Sequence, residues 1–173
     1  AEPTTAVAEL FSDLQHRPYA FHFFQALRRL ERHYHQFPRF GQATRLRDDP
    51  LRLTQEPSMA FAPATLASFD PGNPEQNKAP RLAQYFLGLF GAQGPLPLHL
   101  TEYAYERKRS YNDPTLARFA DIFHQRILSL FYRAWANAQP TVSLERPDSA
   151  RFNTYVGATA GLGMPTLWQR DAV

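Results

Sequence analysis

Residues 113–140 carry the strongest hydrophobic periodicity in the chain. Apolar residues recur there at spacings of three and four, the period of one helical face; they are Leu116, Phe119, Phe123, Ile127, Leu130, Ala134 and Ala138. A second stripe of Leu128, Phe131, Tyr132 and Trp135 widens this face. A surface helix needs only one stripe, so this helix should be packed on two sides, by its own domain or by another chain. Asp113-Pro114 and Pro140 provide a start and a stop signal, which places the helix at about 114–138.

Three more helices are predicted on either side of this central helix. The first runs from Tyr19 to about His35, with an apolar stripe of Phe23, Phe24, Leu27, Leu30 and Tyr34. The second covers about 98–111 and leads through a short turn into the central helix, which predicts a helix hairpin. The third covers about 151–162, with Gly161 or Gly163 as its C-cap. Residues 1–17 contain one apolar turn, typical of a short helix or a mobile arm.

Two segments show the alternation of a β-strand instead. Residues 51–54 alternate between apolar and polar positions and could continue at 59–61, and residues 81–90 alternate again. Between them, residues 62–80 are rich in proline, which predicts a loop across which the two strands pair antiparallel. The predicted fold class is therefore α+β and helix-rich, with the long central helix in a hairpin packed with a small antiparallel sheet. We expect an N-terminal arm at 1–17 and a single domain at 18–173, as part of a longer chain.

Composition narrows the class of protein. A chain of 173 residues fits one domain, and the lack of cysteine excludes disulfides and thiolate metal sites and fits a cytosolic protein. No apolar run approaches the roughly 20 residues that a membrane span needs, and no signal peptide is visible. The 14 Phe provide more large apolar surface than one domain of this size needs for its core. Some of these side chains are therefore expected to face a partner.

The strongest candidate for catalysis is a set of metal-ligating side chains on the predicted hairpin. His99 and Glu102 lie three residues apart on one helix, and Asp121 and His124 do so on the next. Di-iron bundles use such pairs in the order Glu-x-x-His, with further Glu from other helices. Here the order is reversed in one pair, and the other has Asp in place of Glu. A metal-binding enzyme stays an alternative, but we favour side chains that cap or stabilise the hairpin.

Other catalytic and binding motifs are missing or weak. No Gly-x-Ser-x-Gly elbow, dinucleotide fingerprint or P-loop is present. Two short basic clusters, 28–32 and 107–109, allow a nucleic-acid adaptor as a second alternative, although a net charge of +3 is modest for that role. The residues alone thus indicate an aromatic-rich helical domain without a visible active site. This pattern favours a part of an assembly over an enzyme.

Several strings in the chain resemble the TssG family of type VI secretion baseplate subunits. They are FFQALRRLE at 23–31, EPSMAF at 56–61, FLGLFG at 86–91, GPLPLHLTE at 94–102 and the central helix from Asp113-Pro114 to FYRAW at 131–135. The strings follow the order of the family and span roughly residues 20 to 160. Family members continue well beyond residue 173, so the resemblance also implies an N-terminal portion.

The resemblance implies a structural role without catalytic residues and without a cofactor. TssG-like subunits join two copies of TssF in a wedge, connect to TssK and TssE, and surround the VgrG hub in the cytoplasm, docked to an inner-membrane complex. The contractile sheath polymerises on these wedges. A hetero-oligomer without nucleic acid and without direct membrane insertion is therefore expected.

Two partner-facing segments are predicted from the residues. The stripe of Phe23, Phe24, Leu27, Leu30 and Tyr34 has the spacing of a helix that binds in a groove, so it is expected to pack against TssF. The alternative is that it packs only on the sheet of its own domain. The loop at 62–80, with Pro63, Pro71 and Pro74, is expected to contact a partner such as TssK. The central helix itself is then expected to lie mainly inside the domain.

Overall fold

The chain forms helices and one small sheet, as seen in a computed structural model that describes residues 2–76, 78–145 and 151–162, excluding the side chains of 2–6, 74, 144 and 151–153. The described residues form six α-helices: α1 (Glu2–His16), α2 (Phe23–His33), α3 (Leu98–Ser110), α4 (Thr115–Asn137), α5 (Pro140–Leu144) and α6 (Arg151–Thr159). They also form three strands: β1 (Arg52–Gln55), β2 (Leu66–Asp70) and β3 (Arg81–Gln84). The α+β class and the long central helix are confirmed.

The sheet is mixed and has the order β1-β3-β2. β1 runs parallel to β3, with Arg52 opposite Arg81, whereas β2 runs antiparallel to β3. The predicted antiparallel pairing of the first and last strands was therefore wrong. The physical reason is β2, which lies inside the predicted proline-rich loop at 62–80. The chain reverses direction from β1 to β2 and again from β2 to β3, so β3 runs in the same direction as β1.

Helix positions followed their sequence signals more closely than strand positions did. α3 and α4 lie where the periodicity placed them. α2 begins at Phe23 rather than Tyr19, because residues 18–20 form a short 3-10 turn and Phe21 is extended. The strand predicted over 81–90 ends at Gln84, and residues 59–61 form no strand. Residues 140–144 form the short helix α5, with Pro140 in its first turn.

The core lies between the sheet and the helices of residues 1–132, the larger of two compact units; the smaller comprises residues 133–173. α1 is a helix rather than a loose arm: its Leu14 is fully buried, and the Phe11 ring meets the Phe69 ring of β2 edge-on at 5.2 Å between centroids. On α4, Leu128 and Tyr132 are fully buried. The division into an arm at 1–17 and one domain at 18–173 stays a prediction.

Candidate partner-docking surface

Polar side chains of α4 close the free edge of the sheet. β1 is an edge strand, so the backbone groups on its outer side need partners from elsewhere. The Leu53 N–H donates to Gln125 Oε1 at 2.6 Å, and the Gln55 N–H donates to Asp121 Oδ1 at 3.3 Å. Gln125 Nε2 donates in turn to Leu51 O at 3.2 Å and to a buried Asp49 carboxylate oxygen at 3.1 Å. The inner face of α4 therefore provides hydrogen bonds to the sheet edge as well as packing.

His124 belongs to the same inner face and is fully buried. Its Nε2 accepts the Leu89 N–H at 3.0 Å, so the neutral ring carries its hydrogen on Nδ1, which lies 3.1 Å from Asp121 Oδ1. Next to it, the Gln55 side chain pairs with the backbone of Phe90 in both directions, at 2.8 and 2.9 Å. These bonds hold the irregular loop at 85–97 against β1 and α4.

The lack of a side chain at Gly88 lets this loop lie close to Gln55 and His124. A Cβ at this position would lie 2.3 Å from Gln55 Oε1 and 2.8 Å from His124 Nε2, both inside the hydrogen-bond network. We expect Gly88→Ala to lower the free energy of unfolding by about 2 kcal/mol, because these side chains can make room only by giving up their bonds. Urea unfolding measures this value. Ala92→Ser, an exposed change in the same loop, is the control, and an unaltered midpoint for Gly88→Ala would contradict the described contacts.

Asp113 fixes the turn between α3 and α4. Its Oδ1 accepts the Thr115 N–H at 3.0 Å and the Thr115 hydroxyl, which caps the start of α4. Its Oδ2 accepts Arg107 Nη2 at 2.6 Å and Nε at 3.1 Å. The hydrogen bonds from Thr115 and Arg107 lower the pKa of Asp113 to about 2. Asn112 just before it adopts a positive φ of 52°, which this turn requires.

This lowered pKa predicts how the hairpin responds to acid. Because the folded value lies below the ordinary value of about 3.9, the carboxylate stabilises the fold above pH 4, and this contribution is lost as the pH falls toward 2. Asp113→Asn is expected to unfold at lower temperature than the parent at pH 7, with a difference that shrinks as the pH approaches 2. Thermal unfolding at several pH values measures this difference. A difference that stays constant between pH 7 and pH 2 would contradict the assigned role.

The outer face of α4 is apolar and exposed. Its large side chains are between 42% and 59% exposed; they are Phe119, Ile122, Phe123, Ile127, Leu130 and Phe131. The spacing of four places 119, 123, 127 and 131 in one row along the helix, and the rings of Phe119 and Phe123 meet at 5.8 Å. Single exposed apolar residues are ordinary, but a contiguous patch of this kind marks an interaction site.

This patch continues onto two neighbouring segments at its C-terminal end. The Phe131 ring lies 5.4 Å from the Phe24 ring of α2 and 6.0 Å from the Phe86 ring of the 85–97 loop. Phe86 is 41% exposed and Phe24 is half-buried. We call the whole set the α4 surface: Phe119, Ile122, Phe123, Ile127, Leu130 and Phe131 with Phe24 and Phe86. It runs along one helix and ends in an aromatic cluster.

The structure separates the stripe of α2 that the sequence predicted as one partner-facing surface. Phe23, Leu27 and Leu30 are fully buried in the core, whereas Phe24 and Tyr34 are half-buried. Phe23, Leu27 and Leu30 therefore cannot contact a partner unless the core opens. Packing within the domain was the alternative that the sequence left open. Only Phe24 joins the α4 surface.

The exposed segment near the predicted proline-rich loop is not centred on the prolines that the sequence indicated. Pro63 is exposed, Pro71 is half-buried, and the side chain of Pro74 lies outside the described part. All of 59–63 is exposed, and Phe61 at its centre is 100% exposed. Sequence reasoning missed Phe61, because it read residues 59–61 as the end of a strand. An aromatic residue in a segment interrupted by Pro57 and Pro63 was the available signal.

The four candidate metal ligands do not form one site. Asp121 and His124 are hydrogen-bonded to each other and to the backbone of the sheet and loop. His99 and Glu102, in contrast, are exposed on α3. Within the described ranges, no group of three or more His, Asp or Glu could hold a metal. The basic cluster at 107–109 is engaged as well. Arg107 pairs with Asp113, Lys108 with Glu56, and Arg109 with the Tyr105 hydroxyl.

A family model decides which group of proteins the chain belongs to. The model described as "Type VI secretion, TssG" matches residues 17–173, which is nearly the whole chain. The chain belongs to the TssG family. It is thus a component of type VI secretion. No curated protein and no solved structure matches it.

The TssG match covers α2 to α4 and with them the α4 surface. In the part of this TssG-family chain that the structure describes, no helix has the length and apolar content needed to cross a bilayer.

Proposed function

We propose that this TssG-family chain is a structural subunit of the type VI secretion baseplate wedge, with no catalytic role. In this role it joins two TssF copies to TssK and TssE around the VgrG hub, so that the contractile sheath can assemble. The assembly lies in the cytoplasm and docks to the inner-membrane secretion complex. The observation that carries this proposal is the α4 surface, an exposed apolar face along a 23-residue helix in a protein of a secretion family.

The physical argument for a permanent partner is the cost of leaving this surface in water. Each large apolar side chain gains on the order of 1 kcal/mol or more when a half-exposed surface is fully buried. Six such residues on α4 alone therefore favour association strongly, and interfaces of permanent complexes are apolar in the same way. A helix face with anchors at spacings of three and four also fits a partner that supplies a groove or helices of its own.

The α4 surface is assigned to TssF, which the wedge arrangement places in two copies next to TssG. The exposed segment at 59–63, with Phe61 at its tip, is assigned to a second partner such as TssK. This assignment moves the proposed TssF contact from the α2 stripe to α4, with Phe24 as the residue shared by both. It also moves the proposed TssK contact from the prolines to the aromatic tip beside Pro63.

Co-expression with TssF, TssK and TssE, followed by native mass measurement, tests the proposed function. The expected result is a complex that contains this chain and two TssF copies. A chain that purifies alone while the other subunits assemble without it would overturn the proposal. Phe61→Ser should remove TssK and leave TssF bound, which separates the two surfaces.

A further inference from the structure

A basic cleft lies beside the α4 surface. It has a volume of about 310 Å3 and lies between β1, β3 and the first half of α4. Three arginines line it, Arg52, Arg81 and Arg118, and we call it the arginine cleft. Asp121 is the one carboxylate among its described lining residues, and Ile122, a member of the α4 surface, forms part of its wall.

Arginines outnumber carboxylates among the described residues that line this cleft. The Nε of Arg81 is buried and has no hydrogen-bond partner in the described part of the chain. Burial, and next to it the charge of Arg118, lower the pKa of Arg81, although Asp121 and Asp70 act in the opposite direction. Arg52 donates to the backbone oxygens of Leu46 and Asp49, not to a carboxylate.

The carboxylates near the cleft already have other partners. Asp121 Oδ1 is bonded to His124 and to the Gln55 N–H, and Asp121 Oδ2 lies 3.4 Å from Arg118. Asp70 pairs with Lys78 at 2.7 Å. Among the described residues that line the cleft, three are arginines and one is a carboxylate, Asp121, which is already engaged. A buried donor without a partner is costly, so the cleft is suited to an anion that Arg81 and Arg118 can bind together.

We propose that the arginine cleft receives an Asp or Glu side chain of the partner that covers the α4 surface. This inference rests on the proposed function, since it names the chemistry by which the same partner is recognised. The guanidinium fork matches a carboxylate in two parallel hydrogen bonds. Because Ile122 belongs to both the cleft and the α4 surface, one partner segment reaches both. That segment carries an acidic residue flanked by apolar residues.

A carboxylate fits this cleft better than a free phosphate does. Asp121 in the wall repels a dianion more strongly than a single negative charge. A carboxylate carried on a protein segment also gains the apolar contacts of Ile122 and its neighbours, which an inorganic ion cannot make. Charge at such a position contributes to the choice of partner, since it rejects basic and neutral side chains.

The affinity of TssF for variants of this chain tests the inference. Arg81→Gln and Arg118→Gln are each expected to weaken binding by about 30-fold, because the partner carboxylate loses a charged hydrogen-bond donor in a desolvated site. Both variants should also reduce the salt dependence of binding. Arg109→Gln on α3 is the matched control and should bind like the parent. Arg118 is 44% exposed, so its variant keeps the test valid even where Arg81→Gln fails to fold.

Charge reversal identifies the partner residue. Arg81→Glu should abolish binding, and a lysine in place of the matching Asp or Glu of TssF should restore it. If the parent does not bind TssF at all, the proposed function fails. If Phe123→Ser weakens binding but Arg81→Gln and Arg118→Gln do not, only the present inference fails. It also fails if the isolated parent chain binds inorganic phosphate, Arg81→Gln loses that binding, and TssF affinity stays unchanged.

Discussion

Replacing Phe123 and Ile127 together with serine is expected to weaken TssF binding by about 100-fold or more. Both side chains lie in the middle of the α4 surface, where anchors of an interface concentrate, and they are 49% and 42% exposed in the free chain. Their loss removes apolar area that only the complex would bury. The midpoint of thermal unfolding should change little, because the folded chain leaves much of both side chains in water. Binding measured by titration and unfolding measured by calorimetry give the two quantities.

Two controls separate binding from folding. Tyr19→Ser removes an aromatic side chain that is 65% exposed but lies outside the α4 surface, and it should leave TssF affinity unchanged. Leu128→Ala, on the buried side of the same helix, should instead lower the free energy of unfolding by about 3 kcal/mol. A Phe123/Ile127 double variant that binds TssF as tightly as the parent would exclude the α4 surface as the contact.

Gln125→Leu is expected to lower the free energy of unfolding by about 3 kcal/mol. Gln125 is 5% exposed and serves the Leu53 N–H, the Leu51 carbonyl and the Asp49 carboxylate at once. Leucine fills the space but leaves these groups buried without this partner. Burial already raises the pKa of Asp49, and losing the hydrogen bond from Gln125 should raise it further. Urea unfolding at pH 7 measures the loss.

Arg126→Gln is the control for this second prediction. Arg126 is the next residue on α4 and is exposed, so its variant should stay within about 0.5 kcal/mol of the parent. Equal stability of Gln125→Leu and the parent would show that α4 does not close the edge of β1 in solution.

The sequence predicted α4 itself but not which of its faces the domain covers. The periodicity of apolar residues placed the helix correctly, because caps and spacing are local properties. The helix is expected from the sequence to lie mainly inside the domain, but its strongest stripe, with Phe119, Phe123 and Ile127, is exposed. The buried side holds Ala120, His124 and polar groups that bond a sheet edge, which a hydrophobic pattern does not reveal. The two apolar stripes of α4 were nevertheless a signal for a partner, since one small sheet cannot cover both.

The strands show the same limit for non-local structure. Which strand lies next to which depends on the crossover between them, and β2 was hidden in a segment flanked by Pro63, Pro71 and Pro74. Five residues without proline, 66–70, are enough for a strand, but their alternation is broken by a bulge between Leu66 and Ser68. The arginine cleft could not be predicted for a related reason. Its arginines lie on β1, β3 and α4, which are distant along the chain, and the parallel register places Arg52 opposite Arg81.

A photo-crosslinking amino acid at position 123 tests most directly whether TssF contacts the outer face of α4. In cells that assemble the secretion system, a crosslinker in place of Phe123 should give a covalent adduct with TssF, and one in place of Tyr19 should give none. If the Phe123 position yields no adduct while TssF still co-purifies with the chain, TssF binds elsewhere and the central claim is wrong.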